Sequence, residues 1–482
     1  MKETESRRFS ELIDWASQHG ARLHPSLEIY NDDTTKFSLR VRQSSASQLP
    51  IPDGKVEQEG FGAVSCPVST TLSYLNALIG GPVTISAQQE QHLSPTFPPR
   101  FMEQVPPHVI GRFFLIQQYL QGNASFWRPY IATLPQLEQI SSWTLPAFWP
   151  EDDIDLLEGT NAHVAIQEIQ ANVKREFKQA RKILKEENFG DWQDYSRMLY
   201  NWAFCIFTSR SFRPSLILSP PAKQEISAIM PPGCELDDFS ILQPVFDIAN
   251  HSMTAHYTWD VSSDPLSCRL VCRDTYQPGD QVFNNYGLKS NSELLLGYGF
   301  ILPETPEIHN DYVHVRKRGQ EEASSSAAGN NKPKDFLISL RPINHPSSLL
   351  GRSRQLNLGG SQLHALAQFA HFEPALIYDL AFAMSTDEEK AIVDKLMSSG
   401  LDESTEAAAE LQGLENLVVR IQEALCAKLQ FDYQRLNETD PTAVDETDGE
   451  AWEPATQNQQ MAVEYRRQCE KVLLAALQAV AL

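Results

Sequence analysis

Between residues 36 and 42 apolar Phe37, Leu39 and Val41 alternate with Ser38, Arg40 and Arg42, the period-two signature of a half-buried strand. Glu59-Gly60-Phe61-Gly62 then breaks the pattern and Ala63-Val64-Ser65-Cys66 resumes it, which predicts a glycine turn entering a strand. Upstream, Phe9, Leu12, Ile13 and Ala16 share a helical face behind a Ser10 cap, with Gly20 as the stop.

From about residue 94 to 230 the period changes. Residues 112–120 and 162–187 predict helices, the second with Val164, Ile166, Ile169, Val173, Phe177 and Leu184 on one stripe. That helix also carries Lys174, Arg175, Lys178, Arg181, Lys182 and Lys185. Interleaved Glu168, Glu176, Glu186 and Glu187 favour a solvated face over a nucleic-acid site. Strands are predicted again at 242–249, 270–273 and 281–286, with a Pro278-Gly279 turn between the last two, so β structure straddles the helical block. Residues 320–334 read as a low-complexity loop or linker, and 336–340 as one more strand. Helices follow at 362–370, 374–384, 388–397, 406–429 and 461–480, a second domain. Residues 437–453, with seven acidic and no basic side chains, are predicted to be a loop.

The length of 482 residues favours at least two domains, and 41% hydrophobic with 21% charged residues is ordinary globular usage. A formal charge of −22 argues against non-specific grip on nucleic acid or an anionic membrane and suits a basic protein partner. The longest apolar run, 294–302, is too short to span a bilayer, and the charged residues 1–8 do not resemble a secretory leader. Seven scattered cysteines fit a reducing compartment, so the cytoplasm, the nucleus or both are expected. Asp247, His251 and His256 precede Cys268 and Cys272, but without zinc-site spacing; in a strand both thiols face one way and pack in the core. No metal site is expected. Neither a Gly-x-Ser-x-Gly elbow nor a His-Glu-x-x-His helix occurs.

Two polar blocks carry more chemistry. Gln243-Pro244-Val245-Phe246-Asp247-Ile248-Ala249-Asn250-His251-Ser252 sets an Asn-His pair behind apolar residues, groups that are costly to bury without partners. Further on, Asn285-Tyr286-Gly287 leads to Gly297-Tyr298-Gly299-Phe300. With Glu59-Gly60-Phe61-Gly62 and Ser209-Arg210-Ser211-Phe212, in this order and spacing, they resemble the SET-domain protein methyltransferases of the Rubisco large-subunit methyltransferase-like class. Phe126-Trp127-Arg128-Pro129-Tyr130-Ile131 and Leu156-Leu157-Glu158-Gly159-Thr160 look like the insert of that class, and the resemblance spans nearly the whole chain.

The resemblance implies an α+β fold. It places a split β-rich SET domain at 1–320 with a helical insert at about 94–230, a linker at 321–334, and a mainly α-helical substrate-binding domain at 335–482. S-adenosylmethionine is the implied methyl donor. The backbone of Glu59, Gly60 and Phe61 would approach its amino-acid tail, because glycine lets the chain come close. Arg210 would pair with the tail carboxylate or shape the channel floor, and Asn250 and His251 would contact the tail and the adenine. Tyr286 is the expected catalytic residue, its hydroxyl orienting the acceptor amine and meeting the methyl-bearing sulfonium. Tyr298 and Phe300 would wall the lysine channel. Arg210 and Asp247 complete the substrate contacts, Asp247 as an anchor of the local backbone rather than a base. Two departures stand out: the second basic residue of the Ser-Arg motif falls on Pro214, beside Arg213, and the zinc-binding cysteine cluster of many histone-directed members is absent.

The implied reaction is direct displacement of the methyl group by a lysine amine of a non-histone protein, in which positioning dominates. A lysine near pKa ~10.4 must first lose its proton, which an apolar channel beside a sulfonium favours. The alternatives are a histidine acceptor and a catalytically idle SET-fold scaffold. The expected partner is a protein substrate of basic character, such as a ribosomal protein, with no nucleic acid and no membrane, and the chain is expected to be a monomer.

Overall fold

The computed structural model describes residues 2–32, 35–44, 60–84, 93–138, 145–316, 335–355, 366–398, 412–440, 442 and 453–481. Glu59, the linker 321–334, the start of the helices expected at 362–370 and 406–429, and most of the acidic loop 437–453 lie outside the described residues. The chain divides into two compact units, Met1–Thr144 with Gln170–Gly287, and Leu145–Ile169 with Leu288–Leu482.

In the first unit an antiparallel sheet has the order β1 (Arg22–Leu23), β4 (Phe61–Pro67), β8 (Ser267–Cys272), β7 (Tyr257–Asp260). A second joins β2 (Leu27–Asp32), β3 (Lys36–Val41) and β9 (Gln281–Val282), and a small ribbon pairs β5 (Ser211–Phe212) with β6 (Ile241–Leu242). The alternation in β3 works as expected for Leu39 and Val41, both fully buried, while Ser38 is buried because its hydroxyl donates to Gln281 Oε1 at 2.9 Å. Cys268, Leu270 and Cys272 bury one face of β8, and Cys66 of β4 sits opposite Cys268 in register. All of these thiols are free.

Helices Pro107–Gln121 and Arg197–Arg210 pack with the later part of Asn161–Glu186. On that long helix Ile166, Val173, Phe177 and Leu184 are buried as expected, but Val164 is 45% exposed. Two residues from Ile166 is about 200° of helical turn, so Val164 leaves the stripe. Glu176 turns inward: its carboxylate meets Arg112 Nη1 at 2.7 Å, the Tyr200 hydroxyl at 2.9 Å and His108 Nε2 at 3.2 Å. Burial alone would raise its pKa, but these contacts outweigh it and hold the carboxyl below the ordinary range.

The strand expected over 242–249 stops at Leu242. Pro244 removes an amide donor, Val245 has φ 70°, and Phe246–Ile248 form one 3-10 turn. Every residue from 241 to 249 is buried, so an apolar run that reads as strand is a buried turn. The strand expected over 281–286 is likewise only Gln281–Val282, continued by an isolated bridge between His251 and Asn284.

The second unit centres on the hairpin of β10 (Tyr312–Arg316) and β11 (Asp335–Ser339). Helices Pro374–Met384, Glu415–Glu438 and Gln457–Val480 supply core residues such as Ile377, Leu429 and Val472. Residues 367–369 form a 3-10 turn instead of the end of an α-helix. Arg466, 5% exposed, donates to the carbonyls of Leu156, Glu158 and Leu436, the last at a helix end whose carbonyls need outside donors.

His309 and Asp311 give this unit an opposed pair of acid responses. Burial, with Arg341 nearby, pushes the His309 imidazole down to about 4, and burial pushes the Asp311 carboxyl up to about 6. A depressed histidine contributes stability that is present above pH 6.5 and lost as pH falls through 4. A raised carboxyl contributes stability that is present below 3.8 and lost as pH rises through 6. The two offset each other between pH 4 and 6.5. Asp311→Asn is therefore expected to unmask, relative to wild type, an acid loss of about 3 kcal/mol across that window in urea unfolding. His309→Gln should shift the profile the other way.

Candidate active site

Val245 occupies a backbone region strained for a β-branched side chain, and the turn it starts is closed by Asp247 N–H donating to Gln243 O at 3.1 Å. This turn sets the Asp247 side chain against Arg210, the last residue of Arg197–Arg210, and against Tyr130 of the short helix Arg128–Ile131. Arg210 Nη1 lies 3.3 Å from Asp247 Oδ2 and 3.3 Å from the Asp247 carbonyl; the Tyr130 hydroxyl donates to the same Oδ2 at 2.9 Å. The Asp247 side chain is 1% exposed and that of Arg210 29%. Burial pushes the Asp247 carboxyl up, partly offset by Arg210 and Tyr130. Burial would lower Arg210, but the Asp247 charge prevails and holds it above its ordinary value. Burial and the same charge push the Tyr130 phenol far up, so it stays a donor. Asp247 Oδ1 is buried with no hydrogen-bond partner among the described residues.

Asn284 N–H donates to Asn250 O at 2.8 Å, and Ser252 N–H to Asn284 O at 2.9 Å, so residues 284–287 run beside 249–252. Tyr286 N–H donates to His251 Nδ1 at 3.0 Å, which makes that nitrogen the acceptor of the ring. The two rings stack, with centroids 5.0 Å apart and planes at 17°. The Tyr286 hydroxyl donates to Ala249 O at 3.0 Å. The Asn250 side chain donates to Gln281 Oε1 at 3.1 Å, and Gln281 Nε2 in turn to Tyr30. A hydroxyl and a carbonyl oxygen held together on an aromatic plate suit a positive centre such as an ammonium or a polarised methyl group.

Gly60 has φ 63°, and a Cβ there would meet Cys272 O at 2.6 Å, so only glycine fits against β8. Phe61, 9% exposed, contacts His24 and Tyr276 edge-on. Tyr298 and Phe300 belong to the second unit, at the end of the helix Asn291–Tyr298 and past its Gly299 cap. Their rings are 6.3 Å apart, Lys289 Nζ stands 5.8 Å over the Tyr298 ring, and burial raises the Tyr298 phenol to about 12. The structure thus gathers Arg210, Asp247, Asn250, His251 and Tyr286 within the first unit. Tyr130 is the functional neighbour that sequence reasoning missed, although it lies in the Phe126 to Ile131 block. Among the described residues no group of three His, Cys, Asp or Glu side chains could hold a metal ion; His256 pairs with Asp274, Nδ1 to Oδ1 at 2.6 Å.

No family model matches the chain. It is 29% identical over 315 residues to the ribosomal lysine N-methyltransferase set10 of Schizosaccharomyces pombe, covering 63% of this chain and 49% of that protein. It is 26% identical over 249 residues to the human N-lysine methyltransferase SETD6, covering 49% of each. The chain thus spans about half the length of these curated relatives. The solved structure of Rubisco LSMT bound to AdoMet superposes with a TM-score of 0.56 at 16% identity, over 98% of this chain and 91% of that one. The chain is thus similar in sequence to two SET-type lysine methyltransferases and shares the fold of Rubisco LSMT.

Proposed function

We propose that the chain is an S-adenosylmethionine-dependent protein-lysine N-methyltransferase acting on a non-histone protein. The observation that carries this reading is the convergence of the Tyr286 hydroxyl, the Ala249 carbonyl and the His251 ring, from stretches far apart in sequence. The relatives, a ribosomal lysine and an N-lysine methyltransferase, and the AdoMet-bound neighbour support it.

The residues present fit the donor. Arg210 retains solvent access beside Asp247 and can meet a carboxylate, and the oxygen pair at Tyr286 and Ala249 suits a sulfonium. When bound, S-adenosylmethionine supplies the methyl group. Glu59, Gly60 and Phe61 would meet its tail through their backbone, and Asn250 and His251 would hold the tail and the adenine. Tyr286 would orient the lysine amine toward the methyl group, and in the second unit Tyr298 and Phe300 would contact the substrate. Asp247, its side chain 1% exposed, would anchor the turn that shapes the substrate contacts. Asp247 is engaged by Arg210 and Tyr130 and does not serve as the base; the ammonium proton leaves to solvent.

In this reading residues 1–320 form the catalytic SET domain, with the insert at 94–230, and 335–482 the substrate-binding domain. The chain acts as a monomer in cytoplasm or nucleus on a basic protein, for which the formal charge of −22 is the support. Among the described residues no helix is long and apolar enough to cross a membrane. Incubating purified protein and methyl-tritiated cofactor with extract from cells lacking it should label a protein, and mass spectrometry should place the methyl on a lysine Nζ. Label on histidine alone, or none over a broad extract panel, would overturn the assignment.

A further inference from the structure

The basic run on Asn161–Glu186 reads in sequence as a solvated face with interleaved acids, and in the structure those acids meet cations outside the run, Glu186 meeting Lys182 as well. Glu176 is turned inward to Arg112, Tyr200 and His108. Glu168 is taken by Arg316 Nη1 at 2.7 Å. Glu186 is shared between Lys182 and Arg100, and Glu187 also faces Arg100. Lys174, Arg175 and Lys178 are exposed, and none of them has an ion-pair or hydrogen-bond partner among the described residues.

Lys174, Lys178 and Lys182 follow one another at i, i+4, and Arg175 stands three residues before Lys178. Like charges at these spacings repel and weaken a helix, so a merely solvated face would be better served by alternating signs. In a chain of formal charge −22 this row is a local reversal of sign. Its cations recur about every 6 Å along the axis, close to the ~6.6 Å between alternate side chains of an extended peptide.

We infer that the exposed Lys174–Arg175–Lys178 face of the helical block docks an extended acidic segment of a protein partner, independently of methyl transfer. Nucleic acid fits less well. Trp192, the aromatic ring beside the run, already holds Arg181 at 4.8 Å and Lys185 at 5.5 Å from its centroid, contacts that a stacking base would have to compete with. The overall negative charge also opposes a polyphosphate more than a short peptide.

Fluorescence anisotropy with a labelled peptide of alternating Glu and Ser, and with single-stranded RNA of equal charge, tests this on the full chain. The peptide should bind, weaken with added salt, and lose about tenfold or more in affinity in the Lys174→Glu/Arg175→Glu/Lys178→Glu variant. Arg467→Glu, on a separate exposed helix face, should leave binding unchanged. The triple variant should keep its fold by circular dichroism, since Lys178→Glu places a carboxylate four residues before Lys182, a favourable order. Lys174→Gln/Lys178→Gln should give a smaller loss in the same direction. Unchanged peptide affinity in the triple variant would overturn the proposal, as would RNA binding more tightly than the peptide at the same face.

Discussion

Replacing Tyr286 by phenylalanine is expected to lower methyl transfer by about 10²- to 10³-fold while cofactor affinity changes only a few-fold. The ring stacks on His251 and the backbone N–H holds His251 Nδ1, neither of which the substitution removes. What disappears is one oxygen, the hydroxyl that donates to Ala249 O. If that oxygen orients the amine in the transition state, its loss falls on turnover rather than on binding. Single-turnover rates with saturating cofactor, beside a cofactor titration of the same variant, separate the two. A weakened cofactor complex that turns over at the wild-type rate would mean that Tyr286 only helps to build the pocket.

Arg210→Leu is expected to destabilise the first unit by about 3–5 kcal/mol, because it strands a carboxylate that is 1% exposed with Tyr130 as its remaining partner. The penalty has a pH signature. Asp247 is already raised by burial, and losing the arginine raises it further, so the variant's deficit is smallest below about pH 3.9 and grows as pH rises. Arg210→Leu/Asp247→Leu should recover most of the loss, since the buried charge goes with its partner. Urea midpoints of the single and double variants at acid and neutral pH check both statements. Equal destabilisation in the two variants would show that packing, and not the ion pair, holds the turn.

Local pattern carried much of this molecule. The alternation around Leu39, the helical stripe through Val173 and Phe177, and the helix at Pro374–Met384 are legible because each follows from neighbours within a few residues. The turn at Val245 was not, since an apolar run buried on all sides looks the same whether extended or bent. Tyr130 shows the other limit. It reaches Asp247 across 117 positions, and nothing in the spacing near Arg128-Pro129-Tyr130 marks its hydroxyl as the donor to a buried carboxylate. The grouping of Leu145–Ile169 with the C-terminal half is invisible for a similar reason, since it depends on contacts such as that of Arg466 with the carbonyls of Leu156 and Glu158.

The pairing of β4 with β8, Phe61 against Cys272, also sets an order of events at birth. β4 leaves the ribosome roughly 200 residues ahead of its main neighbour, a delay of roughly ten to forty seconds at ordinary synthesis rates. β1 covers only two positions of β4 meanwhile. A nascent chain therefore carries an open, apolar strand edge while the intervening helices assemble, and a holding chaperone at that stage would protect it from pairing with another copy.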